Sequence, residues 1–134
     1  RVRANVLDRE HLVVGMDIPA TILDYAGLDP MPKMRASSLR PLLEGQTAPW
    51  REYAVTESTS QGAVVRAVST KEYKAVFEPG ATPRLHDMQT DPLEMHNLAD
   101  APDHAELLAK ARAQHNAYVD TLELHPDYAK FGTI

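Results

Sequence analysis

A chain of 134 residues with 43% hydrophobic and 25% charged side chains suits one folded domain or a domain with a flank, which excludes disorder throughout. It has no cysteine, which excludes disulfide frameworks, thiolate metal sites and cysteine nucleophiles, and no apolar run nears the roughly 18 residues that span a bilayer. The net charge of −5 arises in residues 47–134, with eight basic and thirteen acidic side chains against six and six in residues 1–46, and no basic cluster offers nucleic acid a face.

The chain opens on Arg1 rather than Met, which reads as the start of an excised or processed piece, and no charged-then-apolar leader indicates a compartment. After short apolar pieces up to Met16, the first clear element is a helix over about 17–27. Asp17 suits its cap, Pro19 its first turn and Gly27 the position just past its end. Ile18, Ile22, Leu23 and Ala26 recur at helical spacing and give it one apolar face. A Pro- and Met-rich loop leads to Ser37-Ser38, which reads as the cap of a short helix over about 38–44. Gln46–Arg51 marks a boundary between residues 1–46 and 47–134, with Trp50, a large side chain seldom left exposed, expected at the seam.

Beyond it, Tyr53–Ser58, Ala63–Thr70, Tyr73–Glu78 and the short Arg84–Met88 read as four strands. Tyr53/Val55, Val64/Val68 and Tyr73/Phe77 alternate onto one face with polar residues between. Asp91-Pro92 is a turn signal, and the carboxylate of Asp91 suits an Asx-turn, with Glu94 and Asn97 able to bond locally in the same way. The last element is a helix over about 103–123, for which Asp103 and Glu106 have capping-box spacing. Leu107, Leu108, Ala111, His115, Tyr118, Val119 and Leu122 form its apolar stripe. The aromatic tail from His125 to Ile134 lacks periodicity and reads as a segment that drapes over the body or reaches a neighbouring subunit.

Several ordered motifs together resemble sulfatases. Asp17-Ile18-Pro19-Ala20-Thr21-Ile22-Leu23-Asp24-Tyr25-Ala26-Gly27 is similar to the helix that closes the family's large domain. Ser38-Leu39-Arg40-Pro41-Leu42-Leu43-Glu44-Gly45 resembles its next motif, with Ala36 where the family usually has Gly. Arg66-Ala67-Val68, Thr70 and Tyr73-Lys74 resemble its C-terminal sheet, and Leu85-His86-Asp87-Met88 followed by Asp91-Pro92, Glu94 and Asn97-Leu98 resembles its C-terminal signature. The resemblance spans roughly residues 12–124. It implies an α+β chain: a four-stranded antiparallel sheet packed by a long C-terminal helix, preceded by the closing helix of an α/β catalytic domain. Asp17, Thr21, Gly27, Leu85, Asp87, Asp91, Pro92, Glu94, Asn97 and Leu98 would then be structural signature positions.

The same resemblance implies a parent enzyme of the alkaline phosphatase superfamily that uses formylglycine and calcium, many of whose relatives are exported. Neither group finds its motif here. No Cys/Ser-x-Pro/Ala-x-Arg pentapeptide occurs, the acidic metal-ligand pairs are absent, and the six histidines show no ligand spacing. The chain is therefore expected to lack catalytic and metal residues and to be inert alone, with the missing N-terminal catalytic domain as its partner. By the resemblance, the loop following the first strand of the C-terminal sheet helps to line the substrate cleft. Glu57, Ser58 and Thr59 are its candidates, and Arg66 points either there or into a structural ion pair. Two other readings stay open. One is a stand-alone binding or oligomerisation module that uses the exposed 17–27 helix or the tail. The other is the C-terminal part of a related phosphodiesterase or phosphonate monoester hydrolase.

Overall fold

A computed structural model describes residues 2–60 and 63–122. The chain divides into two compact units, Arg1–Glu52 and Tyr53–Ile134. The first carries α1 (Asp17–Tyr25) and a single-turn α2 (Arg40–Leu43). The second carries β1 (Ala54–Ser60), β2 (Ala63–Ser69), β3 (Tyr73–Phe77), β4 (Arg84–Asp87), a 3₁₀ turn (Pro102–His104) and α3 (Ala105–Asp120).

The first unit is organised around a carboxylate. Asp17 is not the cap of α1. It is the first helical residue, Met16 holds the cap position, and the Asp17 side chain is fully buried. Its two oxygens face the Arg51 guanidinium, with Oδ1 accepting from Nη2 at 2.7 Å. The amides of Ser37 and Val14 donate to Oδ1 and Oδ2 at 3.0 and 2.9 Å. Burial pushes the Asp17 pKa upward, but the Arg51 hydrogen bond and the two amides outweigh it and hold the group below the ordinary carboxylate value. One turn along, the Thr21 hydroxyl donates to the Asp17 carbonyl at 2.6 Å and accepts the Leu39 amide at 2.8 Å.

The buried face of α1 is thus Asp17, Ala20 and Thr21, while Ile18 and Ile22 of the expected apolar stripe are 59% and 63% exposed. Asp24, expected to cap or face solvent, accepts from Ser38 Oγ at 2.6 Å and from Arg40 Nη1 at 3.0 Å. Ser38 does not cap α2 as expected; Leu39 holds that position, although the Arg40 amide reaches Ser38 Oγ at 3.1 Å. Ala36 keeps a negative φ, and the left-handed residue of this loop is Lys33. Trp50 donates from Nε1 to the Leu12 carbonyl at 2.7 Å and meets the edge of His11.

In the second unit the four strands form one antiparallel sheet in the order β1-β2-β3-β4. Alternation places Val68, Tyr73, Ala75, Phe77 and Leu85 on one face, where Ala111, Leu107 and Leu108 of α3 cover them. These side chains are the core. The expected capping box does not form: the chain enters α3 through the 3₁₀ turn begun by Pro102, His104 takes the cap position, and no side chain caps it. The helix ends at Asp120, and the tail considered above lies outside the described residues.

Candidate functional site

The face of the sheet opposite α3 is built from the other half of each alternation: Thr56 and Ser58 of β1, Val65 and Ala67 of β2, Lys74 and Val76 of β3, Arg84 and His86 of β4. Together with Glu57, whose carboxylate is held on the other face, and Glu94 from the following loop, these residues line a concavity of about 410 Å³. The register sets them in order, because Thr56 pairs with Ala67, Ala67 with Val76 and Val76 with Arg84. A single cross-strand row therefore runs from a hydroxyl over two small apolar residues to a guanidinium. One step along, Lys74 pairs with His86.

Two of these groups are already engaged. Lys74 Nζ donates to Glu94 Oε1 at 2.7 Å. His86 is buried, and its Nδ1 lies 2.9 Å from the His96 carbonyl, a contact in which Nδ1 donates. Arg84 is exposed and makes no ion pair among the described residues.

The loop that delivers Glu94 holds it at φ 57°, a left-handed conformation uncommon outside glycine. Asp91 secures that loop by accepting the amides of Met95 and His96 at 3.0 and 2.8 Å, which keep its carboxyl below the ordinary range. Pro92 follows Asp91 within the turn. Asn97 ties the loop to β4 by accepting the Leu85 amide at 2.9 Å, and Leu98 N donates to the Leu85 carbonyl at 2.8 Å. Asp87 Oδ1 accepts the Gln89 amide at 2.8 Å. Gly27, at φ 68°, follows the end of α1 in the first unit.

The residues singled out from the sequence separate onto the two faces. Ser58 lines the concavity. Glu57 and Arg66 occupy the α3 face, where Arg66 Nε donates to Glu57 Oε1 at 2.6 Å and the Tyr118 hydroxyl donates to Glu57 Oε2 at 3.2 Å. Arg66 is thus in a structural ion pair. Thr59 is exposed near the end of β1. No local sequence signal marks Thr56, Lys74 or Arg84 as site residues, although the alternation that puts Tyr73 and Phe77 on the core face puts Lys74 on the other, where the pairing of β3 with β4 adds Arg84 and His86.

Chemically the concavity can bind and orient. Ser58 on β1 and His86 on β4 are three strand spacings apart, about 14 Å, so they form no nucleophile–base pair. Among the described residues, no group of three or more His, Cys, Asp or Glu side chains could hold a metal ion. Asp17 is spent on Arg51 and two amides, and Asp91 on two more. These residues do not fit calcium, and none fits formylglycine.

Residues 2–120 match the family model described as N-sulphoglucosamine sulphohydrolase, C-terminal. An N-acetylglucosamine-6-O-sulfatase of Bacteroides thetaiotaomicron is 29% identical over 102 residues, which cover 69% of this chain and 18% of that protein. A Δ4,5-hexuronate-2-O-sulfatase of the same organism is 32% identical over 110 residues, covering 78% of this chain and 23% of its own length. Among solved structures, the phosphonate monoester hydrolase of Agrobacterium radiobacter superposes with a TM-score of 0.66 at 26% identity, over 79% of this chain and 26% of that one. The chain spans about a fifth of the length of the curated relatives it matches.

Proposed function

This chain belongs to the N-sulphoglucosamine sulphohydrolase C-terminal family, and from that premise we propose that it is the C-terminal part of a sulfuric-ester hydrolase, inactive by itself. In this reading residues 1–46 close an α/β catalytic domain, residues 47–134 form the C-terminal subdomain, and the open sheet face walls the substrate cleft. The observation that carries it is the family match over residues 2–120, which includes both the α1 segment and the whole sheet. The polar concavity supports the cleft role, because it offers binding groups without a reactive centre. The exposed Ile18 and Ile22 support a large partner, which we identify as the catalytic domain. Formylglycine and calcium belong to that domain in this reading.

The test is an aryl sulfate assay on the purified chain and on a polypeptide that joins it to a catalytic domain of the family. Turnover is expected only from the joined protein. Turnover that scales with the concentration of the isolated chain would overturn the proposal. The likeness to the Agrobacterium enzyme favours one second reading, a phosphonate monoester hydrolase. The joined protein decides between them by its relative turnover of a phosphonate monoester and a sulfate ester.

A further inference from the structure

We propose that Leu93 and Met95 form the seam by which the sheet unit docks on an apolar patch of the catalytic domain that lies outside this chain. The identity of that partner rests on the C-terminal reading above, and the docking surface on exposure and loop geometry.

Among the described residues of the second unit, Leu93 and Met95 are the large apolar side chains left exposed, at 80% and 73%. On a flexible loop two such side chains would mean little. This loop is held. Asp91 binds the Met95 and His96 amides, its carbonyl accepts the Glu94 amide at 3.0 Å, and Asn97 fastens the far end to β4. Glu94 sits between the two apolar residues in a left-handed conformation that glycine adopts at no steric cost, and its side chain reaches Lys74. The side chains of Asp91, Glu94 and Asn97 are thus spent within the chain, while Leu93 and Met95 are presented outward on a fixed backbone. Such preorganisation lowers the cost of docking, and Met is a residue that interfaces favour. His96, exposed beside them, supplies a polar rim.

Position identifies the occupant. Glu94 lines the concavity, so its two neighbours stand at the edge of the sheet face that walls the cleft. A cleft closed by a second body needs contact along one edge and an opening along another. The edge at β1 is polar, with Thr56, Ser58 and Thr59 exposed, and suits the opening. The apolar edge at Leu93 and Met95 suits the contact. The chain spans about a fifth of its curated relatives, so most of each relative lies outside the matched region and can supply that body.

The test is thiol labelling of Leu93→Cys, in a chain with no cysteine of its own, with Thr59→Cys as the comparison. Each variant is made in the isolated chain and in the joined protein, and labelling is read peptide by peptide by mass spectrometry. Leu93→Cys should react about tenfold or more slowly in the joined protein, because a docked centre excludes water, while Thr59→Cys reacts equally in both. Leu93→Ser combined with Met95→Ser should leave the thermal midpoint of the isolated chain in place, since both side chains are exposed there. In the joined protein the same pair should speed proteolysis of the second unit by about tenfold. Equal labelling of Leu93→Cys in both settings, or equal protection at the two positions, would overturn the proposal. So would indifference of the joined protein to the double substitution, or protection that rises with the concentration of the isolated chain, the mark of a second copy. Sulfate ester hydrolysis is measured separately. Protection without turnover keeps the seam and counts against the enzyme reading, and turnover without protection does the reverse.

Discussion

Asp17→Asn should cost the first unit most of its stability. The substitution leaves the four donors from Arg51, Ser37 and Val14 in place, but it turns one of their two accepting oxygens into an NH2 and removes the charge that answers Arg51, whose side chain is only 18% exposed. Stranding a buried cation in this way costs about 3–5 kcal/mol, and partial solvent access to Arg51 places the loss near the lower figure. A segment of about 50 residues holds roughly 5 kcal/mol in all. Its buried residues, among those described, are Asp17, Ala20 and Thr21, so little apolar burial stands in reserve.

Trp50 is the sole tryptophan and belongs to this unit through its bond to Leu12, so urea unfolding followed by its fluorescence reads the loss directly. At typical denaturant sensitivities the midpoint should fall by about 1–3 M. Circular dichroism from the sheet provides the comparison. Adding Arg51→Met should restore part of the loss by removing the stranded charge. Because the folded pKa of Asp17 is depressed, its contribution is fully present above the ordinary value of about 3.9 and is lost as pH falls below it. The wild-type midpoint should therefore be flat near neutrality and decline below about pH 4. A Trp50 midpoint that moves by less than about 0.5 M in Asp17→Asn would refute the reasoning.

Asn97→Ala should destabilise the second unit by about 1–3 kcal/mol, since the Leu85 amide loses its acceptor beside a buried side chain. Thermal unfolding followed by circular dichroism checks it, and a negligible shift would mean that water replaces the amide. A double-mutant cycle on Glu57 and Arg66 should return a coupling below about 1 kcal/mol, because the Glu57 side chain is 36% exposed. Arg66→Ala alone should cost more, through the packing of its buried stem, and a coupling above about 2 kcal/mol would contradict this view.

The strands were legible because alternation is a local signal: Tyr73, Ala75 and Phe77 announce their face within five residues. Long-range partnership was not. Asp17 reads as a cap when only its neighbours are considered, and its actual partner lies 34 residues away. Asp103 and Glu106 have capping-box spacing, but Pro102 begins a 3₁₀ turn and shifts the helix start past Asp103, which leaves Glu106 in the first turn of α3. At the candidate site the residue types were visible and the register was not. Ser58, Lys74, Arg84 and His86 come together only once the strand pairings are known, and the Glu57–Arg66 pair leaves that face for the same reason.

The uninterrupted β1-β2-β3-β4 order has a consequence for how the sheet is made. Each strand is completed by the one synthesised next, so every ladder closes over a short separation and a growing chain can zip the sheet hairpin by hairpin. Only α3 must return from farther along to shelter the apolar side. The concavity on the other side, lined by those same four strands and by Glu94, draws no residue from that last cover.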